Sequence, residues 1–392
     1  MAALFLLLCP AAADTERSAP DVVIAKRPVK IAQLVGETDH ERKVPTANRT
    51  WSRYKLAGTD LGVSFRHKGR TYLLFGDTIG PPGGDAFAWT TDDNPEDGLD
   101  LTFLDDGNGT YRPLTIPGIS QRDFEVPMEG TSVGGRMYVY HTTNHSETVP
   151  MGRSVVAVSE DDGKSFRYLY DLSHQHFINV SVVEVKAQDW KGVPQRRGDG
   201  LFLFGSGPYR ESEVRLAYQP ARQIETASSL RYFTGLDRAG RPVWSGDEAE
   251  ARPLFALPDV KAGGIGELSV SYNRFLRKWL LLYNSGQPRG ILLRTADRPW
   301  GPWSEAQVLF EPWQDGGYGH FLHVNWEFRK LDEAHDPGRE NEWGGEYGPY
   351  QLEHLARGRQ GETTIYFTLS TWNPYTVVLM KATLRRQAAP SR

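Results

Sequence analysis

Cysteine is almost absent from the 392 residues. The only one, Cys9, sits in a leucine-rich opening stretch. No intrachain disulfide can form, and no thiol nucleophile is available beyond that stretch. No charge of one sign dominates either: 45 Lys and Arg stand against 49 Asp and Glu, a net charge of −4. The basic face that nucleic acid requires is missing, so no nucleic-acid partner is expected. No apolar run reaches the ~20 residues of a transmembrane helix, and no membrane span is expected. HExxH, P-loop and dinucleotide fingerprints are missing, and no cofactor is expected. What the chain does have is glycine and aromatic residues: 40 Gly beside 11 Trp, 17 Tyr and 17 Phe. That combination suits strands joined by tight turns, and surfaces that stack on flat ligands.

Residues 1–13 are leucine-rich and end Ala11-Ala12-Ala13, a small-residue cleavage pattern. They resemble the latter part of a secretory signal without its basic n-region, which points to a secreted or periplasmic protein. Leu8, before Cys9, does not suit a lipoprotein signal. Residues 14–52 read as a polar lead-in closing onto a single domain at 53–386, with a short tail at 387–392.

One pattern recurs five times: an extended run, a glycine turn, then an aromatic-aliphatic strand. It pairs Thr59–Phe65 with Tyr72–Phe75, Thr131–Val133 with Met137–His141, and Ile178–Val185 with Leu201–Phe204. It returns as Leu268–Tyr272 with Trp279–Tyr283, and as Tyr350–His354 with Thr364–Leu369. No helical stripe competes. The chain reads as an all-β propeller with four-stranded blades. Ser159 to Phe166 has the form of an Asp-box turn, in which Asp and Ser bond the turn backbone. Residues 311–348 break the rhythm with Trp313, Trp326 and Trp343. This insertion reads as a functional loop or as a cover on the last blade, with a short helix over Trp326 to His335.

If Lys68-Gly69 is the first hairpin turn, Val63 faces Leu74 and Asp60 faces Asp77. Directly opposed residues have Cβ atoms about 4.5–5.5 Å apart, and like charges there raise one pKa. Three uses fit such a pair: glycoside hydrolysis, which needs one acid and one base or nucleophile, a metal site, or turn capping. A slip of one residue would put the two on opposite faces. In the hydrolytic reading the short separation favours a retaining mechanism, with Asp60 as nucleophile and Asp77 as acid/base. Glu267 and Glu353 hold comparable places in blades four and five and are expected in the same pocket. There they could orient sugar hydroxyls, tune a pKa, or pair with Arg289 or Arg294. Further substrate contacts are expected from Tyr350, Trp326, Trp343, Arg210 and His141. His320, His323 and His354 could together hold an axial ion, but histidines in an aromatic loop are more often packed and hydrogen-bonded. No metal is expected.

Several short motifs then occur in a fixed order. They are Thr59-Asp60-Leu61-Gly62, Phe75-Gly76-Asp77-Thr78, Ser132-Val133-Gly134-Gly135, Gly205 to Arg210, and Gly266-Glu267-Leu268-Ser269-Val270. Tyr347-Gly348-Pro349-Tyr350 and Leu369 to Tyr375 follow. From about Tyr54 to Leu384 the chain resembles the bacterial family called domain of unknown function 4185, which includes the endo-D-arabinanases of glycoside hydrolase family 183. The resemblance implies five blades and hydrolysis of internal α-D-arabinofuranosyl linkages, as in mycobacterial arabinogalactan and lipoarabinomannan. It also implies that Asp60 and Asp77 are the catalytic pair and that the partner is an arabinan-type polysaccharide. Blade two reads Val126-Pro127-Met128-Glu129-Gly130, larger and less polar than the resemblance leads one to expect.

Overall fold

The computed structural model describes residues 21–325 and 338–387. Five antiparallel sheets follow one another along the chain, giving a five-bladed β-propeller. In the first four, chain order is sheet order, from the innermost strand at the axis to the outermost; the third carries five strands. Central strands are buried on both faces because each blade is sandwiched between two others. The strand Lys278–Gly286, for example, shows solvent only at its last residue.

Each interface between neighbouring blades holds its own apolar cluster. Tyr138, Val156, Leu203 and Ala217 join blades two and three. Phe204, Val270, Trp279 and Leu281 join three and four. Leu282, Leu293, Phe367 and Met380 join four and five. The strand alternation seen in the sequence therefore feeds two cores at once.

Blade five is assembled from both parts of the chain. Its innermost strand is Glu346–Gln351, followed outward by Glu362–Thr371 and Thr376–Arg386. The outermost is β1 (Val22–Gln33), antiparallel to Thr376–Arg386. The segment expected as a lead-in thus contributes a strand that closes the ring. The innermost strand also lies earlier than the sequence suggests. It ends at Gln351, and Glu353–Leu355 is a turn of 3₁₀ helix.

The Asp-box turn has the expected bonds. Asp161 accepts the Ser165 N–H at 2.8 Å and its hydroxyl at 2.6 Å, while Ser159 Oγ accepts the Gly163 N–H at 2.9 Å. In the insertion, Trp313 and Trp343 pack on Tyr318, with ring centroids 4.7 and 5.6 Å away. The expected helix over Trp326 to His335 lies outside the described residues.

The first hairpin departs from its simplest register. β2 (Gly58–His67) and β3 (Arg70–Ile79) pair His67 with Arg70 and Val63 with Leu74, as expected. Two irregularities follow. Leu61 and Gly62 turn left-handed, at φ 66° and 84°, so the ladder shifts by one residue and Asp60 faces Gly76. Asp77, itself left-handed at φ 42°, is the bulged residue that restores the register, and Gly58 pairs with Ile79. Glycine is required at position 62 by its φ and by crowding. A Cβ there would lie 3.1 Å from Thr368 and 3.2 Å from Val377.

Candidate active site

All five innermost strands start at the same end of the axis. There Asp60, Glu267 and Tyr347, near the starts of three of them, meet Asp77 around a cavity of about 740 Å³. The bulges thus correct the pairing without separating the aspartates. They are not opposed on the ladder, but both line this cavity.

Their surroundings differ. Asp60 is 7% exposed, and its Oδ2 accepts the Tyr347 hydroxyl at 3.0 Å. The phenol of Tyr375 also favours the Asp60 anion. Burial pushes the Asp60 carboxyl well above its usual range; the two tyrosines oppose this, and the charges of Glu267 and Asp85 add to it. Asp77 is also pushed up, first by burial and then by the charges of Asp60 and Asp85. Among the described residues its carboxylate accepts only the Phe124 N–H, at 3.1–3.2 Å, and Asp123 adds a further negative charge. Phenolic donors favour the anion, whereas surrounding carboxylates favour the protonated acid. The arrangement can therefore hold an anionic Asp60 beside a protonated Asp77, the two charge states that acid–base chemistry needs.

Glu267 is 2% exposed and joins the same cavity. It accepts from the Tyr209 hydroxyl at 2.8 Å and from Arg210 Nη2 at 3.3–3.4 Å. Its cation is Arg210, expected as a substrate contact, rather than either arginine the sequence suggested. Arg289 pairs with Glu346, and Arg294 bonds Tyr283 and the Ser304 carbonyl.

Three other expected contacts are elsewhere. Glu353 lies at the opposite mouth of the channel, in a pocket with Glu129, Glu184 and His354. It follows the end of its innermost strand, whereas the cavity is built at the strand starts. His141 is fully buried; its ring bonds Asp85 at 2.9 Å and the Thr142 carbonyl at 2.6 Å. Asp85 in turn accepts the Asp77 N–H at 3.2 Å, so His141 stands one layer behind the cavity wall. Tyr350 is 2% exposed and packs with Leu61, Val126 and Met128 beneath the cavity. Trp343 packs in the insertion and does not line the cavity, and Trp326 lies outside the described residues. The three histidines considered for an axial ion have separate partners: Glu41 for His320, the Glu340 carbonyl for His323, and Thr71 for His354.

Several cavity residues were not singled out from sequence: Tyr209, Tyr347, Tyr375, Phe124 and Trp372. The signal was there in part, since Tyr209, Tyr347, Trp372 and Tyr375 fall inside the ordered motifs. Trp372 is 49% exposed on the cavity rim, with the Arg339 guanidinium 4.5 Å from its ring centre. An exposed indole so held is a stacking platform. Trp372→Ala is expected to raise KM for a polymeric ligand roughly three- to tenfold, the scale of one aromatic contact, with a smaller change in kcat. An unchanged KM would make the indole a lid on Arg339 only.

Comparison with known proteins adds the following. The chain is similar to the GH43_1 enzyme of Xanthomonas citri, at 14% identity over 86% of this chain and 90% of that one, with a TM-score of 0.46. It is also similar to the catalytic domain of the Coprinopsis cinerea GH62 alpha-L-arabinofuranosidase, at 11% identity over 95% and 100%, with a TM-score of 0.43. A Dyadobacter fermentans protein of unknown function aligns at 9% identity over 94% and 100%, with a TM-score of 0.38. Likenesses of that size bear on neither substrate nor chemistry. Comparison with curated proteins gives no match. The sequence pattern of one family spans residues 46–381, from before the first blade into the last: the chain belongs to the family described as Domain of unknown function (DUF4185).

Proposed function

We propose that the protein is a secreted or periplasmic glycoside hydrolase that cleaves internal α-D-arabinofuranosyl linkages of an arabinan. The observation that carries a glycan-cleaving reading is the place of the carboxylate pair, in the middle of a trough. On one side the central cavity shares Asp77, Ile79, Asp123 and Phe124 with a pocket of about 730 Å³. On the other it shares Arg210, Gly345 and Glu346 with a pocket of about 340 Å³. A polymer can occupy both sides of the aspartates at once, as endo-cleavage requires. The sugar and linkage follow from the resemblance of the ordered motifs.

In this reading Asp77 protonates the leaving glycosidic oxygen. Asp60, kept anionic by Tyr347 and Tyr375, acts on the anomeric carbon directly or through water. The retaining mechanism expected from directly opposed carboxyls loses that premise, because Asp60 faces Gly76. NMR of the first-formed anomer decides between the two courses.

Incubation of the purified protein with a panel of glycans is expected to release a ladder of oligosaccharides from mycobacterial arabinan. Release from another furanoside or exopolysaccharide alone would replace the substrate. Binding of arabinan without any cleavage would leave a lectin.

A further inference from the structure

The smaller pocket beside the cavity contains two buried acceptors with no hydrogen-bond partner among the described residues. Asn284 is 7% exposed and its Oδ1 has no hydrogen-bond partner. The Glu346 side chain is 4% exposed; Oε1 lies 3.5 Å from Arg289 Nε, but Oε2 is also unpartnered. Leaving a buried polar group unpaired is costly, so two lining one small pocket point to a ligand that supplies donors. The same pocket presents donors of its own, from Lys261, Arg210 and Arg289. Lys261 is exposed and makes no ion pair among the described residues.

We propose that this pocket is a subsite for one neutral sugar ring, on the non-reducing side of the cleaved bond. The proposal rests on the glycosidase reading above and deepens it. A sugar hydroxyl both donates and accepts, so vicinal hydroxyls can serve Asn284 Oδ1 and Glu346 Oε2 while accepting from Lys261. A carboxylate or phosphate group has only acceptors to offer. It would leave both orphan oxygens unmet and face the Glu346 carboxylate. A cavity of about 340 Å³ stands at the small end of ligand pockets, which run about 300–1,000 Å³. The direction along the trough follows from the acid. Asp77 also lines the larger flanking pocket, so the leaving group departs on that side. The sugar that bears the reacting anomeric carbon then extends towards Arg210 and Asn284.

The test uses the full chain and a size ladder of α-D-arabino-oligosaccharides labelled at the reducing end. For the wild type, kcat/KM should climb stepwise as each added unit fills a subsite. Asn284→Ala and Lys261→Ala should each flatten one step, roughly three- to tenfold, and only where the unit is added on the non-reducing side. Lys261 is exposed, so its variant reads the site even if Asn284→Ala folds poorly. If both variants keep every step, the subsite is overturned while wild-type hydrolysis upholds the proposed function. If wild type cleaves neither the ladder nor arabinan, both readings fall. A larger gain from a phosphate-bearing unit at that end than from the neutral one would overturn the neutral-sugar assignment.

Discussion

Asp60→Asn and Asp77→Asn are each expected to lower turnover by about 10²–10⁴, the usual scale of a general acid or base, while the protein stays folded. Asparagine suits the experiment at position 77 in particular. Asp77 is left-handed at φ 42°, a conformation that Asn adopts nearly as readily as Asp, so only the chemistry is removed. Alanine there would confound loss of the carboxyl with backbone strain. Stability should move opposite to activity. Both carboxyls are raised in the folded state, so the stability they contribute is full at low pH and is lost as pH rises through the folded values. The substituted position no longer titrates, and each variant's melting temperature should equal or exceed that of the wild type under alkaline conditions. Near-full activity in either variant would remove that residue from the chemistry. Unfolding of both would assign the pair to turn capping. The double variant should lose little more than the worse single one, because the two groups act as a unit.

The second large effect is in the pH profile. A reaction needing anionic Asp60 and protonated Asp77 gives a bell-shaped rate curve, falling tenfold per pH unit beyond each limb. Both groups are pushed upward, so the whole bell should sit above the acid range of unperturbed carboxylates. The two limbs belong to the pair rather than to either residue. Tyr347→Phe deletes a donor that favours the Asp60 anion, and Glu267 and Asp85 remain to oppose ionisation. The acid limb should therefore move to higher pH, narrowing the bell from its left side. A bell centred near pH 4, or a Tyr347→Phe profile superimposable on the wild type, would refute this division of roles.

The parts of this arrangement that depend on local pattern were legible in the sequence. Strand alternation and glycine turns are written within a few residues, and so the repeat, the Lys68-Gly69 turn and the innermost positions of Asp60 and Glu267 could be read directly. The Gly62 bulge could not. It is held by groups from blade five, where Ser370 Oγ accepts the Leu61 N–H at 2.8 Å and Thr368 and Val377 crowd the glycine. Sequence separation hides such contacts. The tyrosines around Asp60 were obscured differently, because an aromatic residue in a strand looks the same whether it fills a core or faces a carboxylate. Glu353 was misplaced because Tyr350–His354 looks like a whole strand, when it is the end of one that begins at Glu346.

β1 closing the ring also bears on how the molecule is made. Its partner strand, Thr376–Arg386, leaves the ribosome more than three hundred residues later, although the two are neighbours in space. Blades one to four can assemble in order during synthesis, each from contiguous chain. Blade five cannot, and until it does the apolar faces of blades one and four have no cover on that side. Joining segments so far apart in sequence carries the largest loop-closure entropy of any pairing in the fold. Closure is therefore expected to be a late step of folding. The same step completes the cavity, because Tyr347, the donor to Asp60, and Tyr375, which also favours its anion, both belong to the blade that is sealed last.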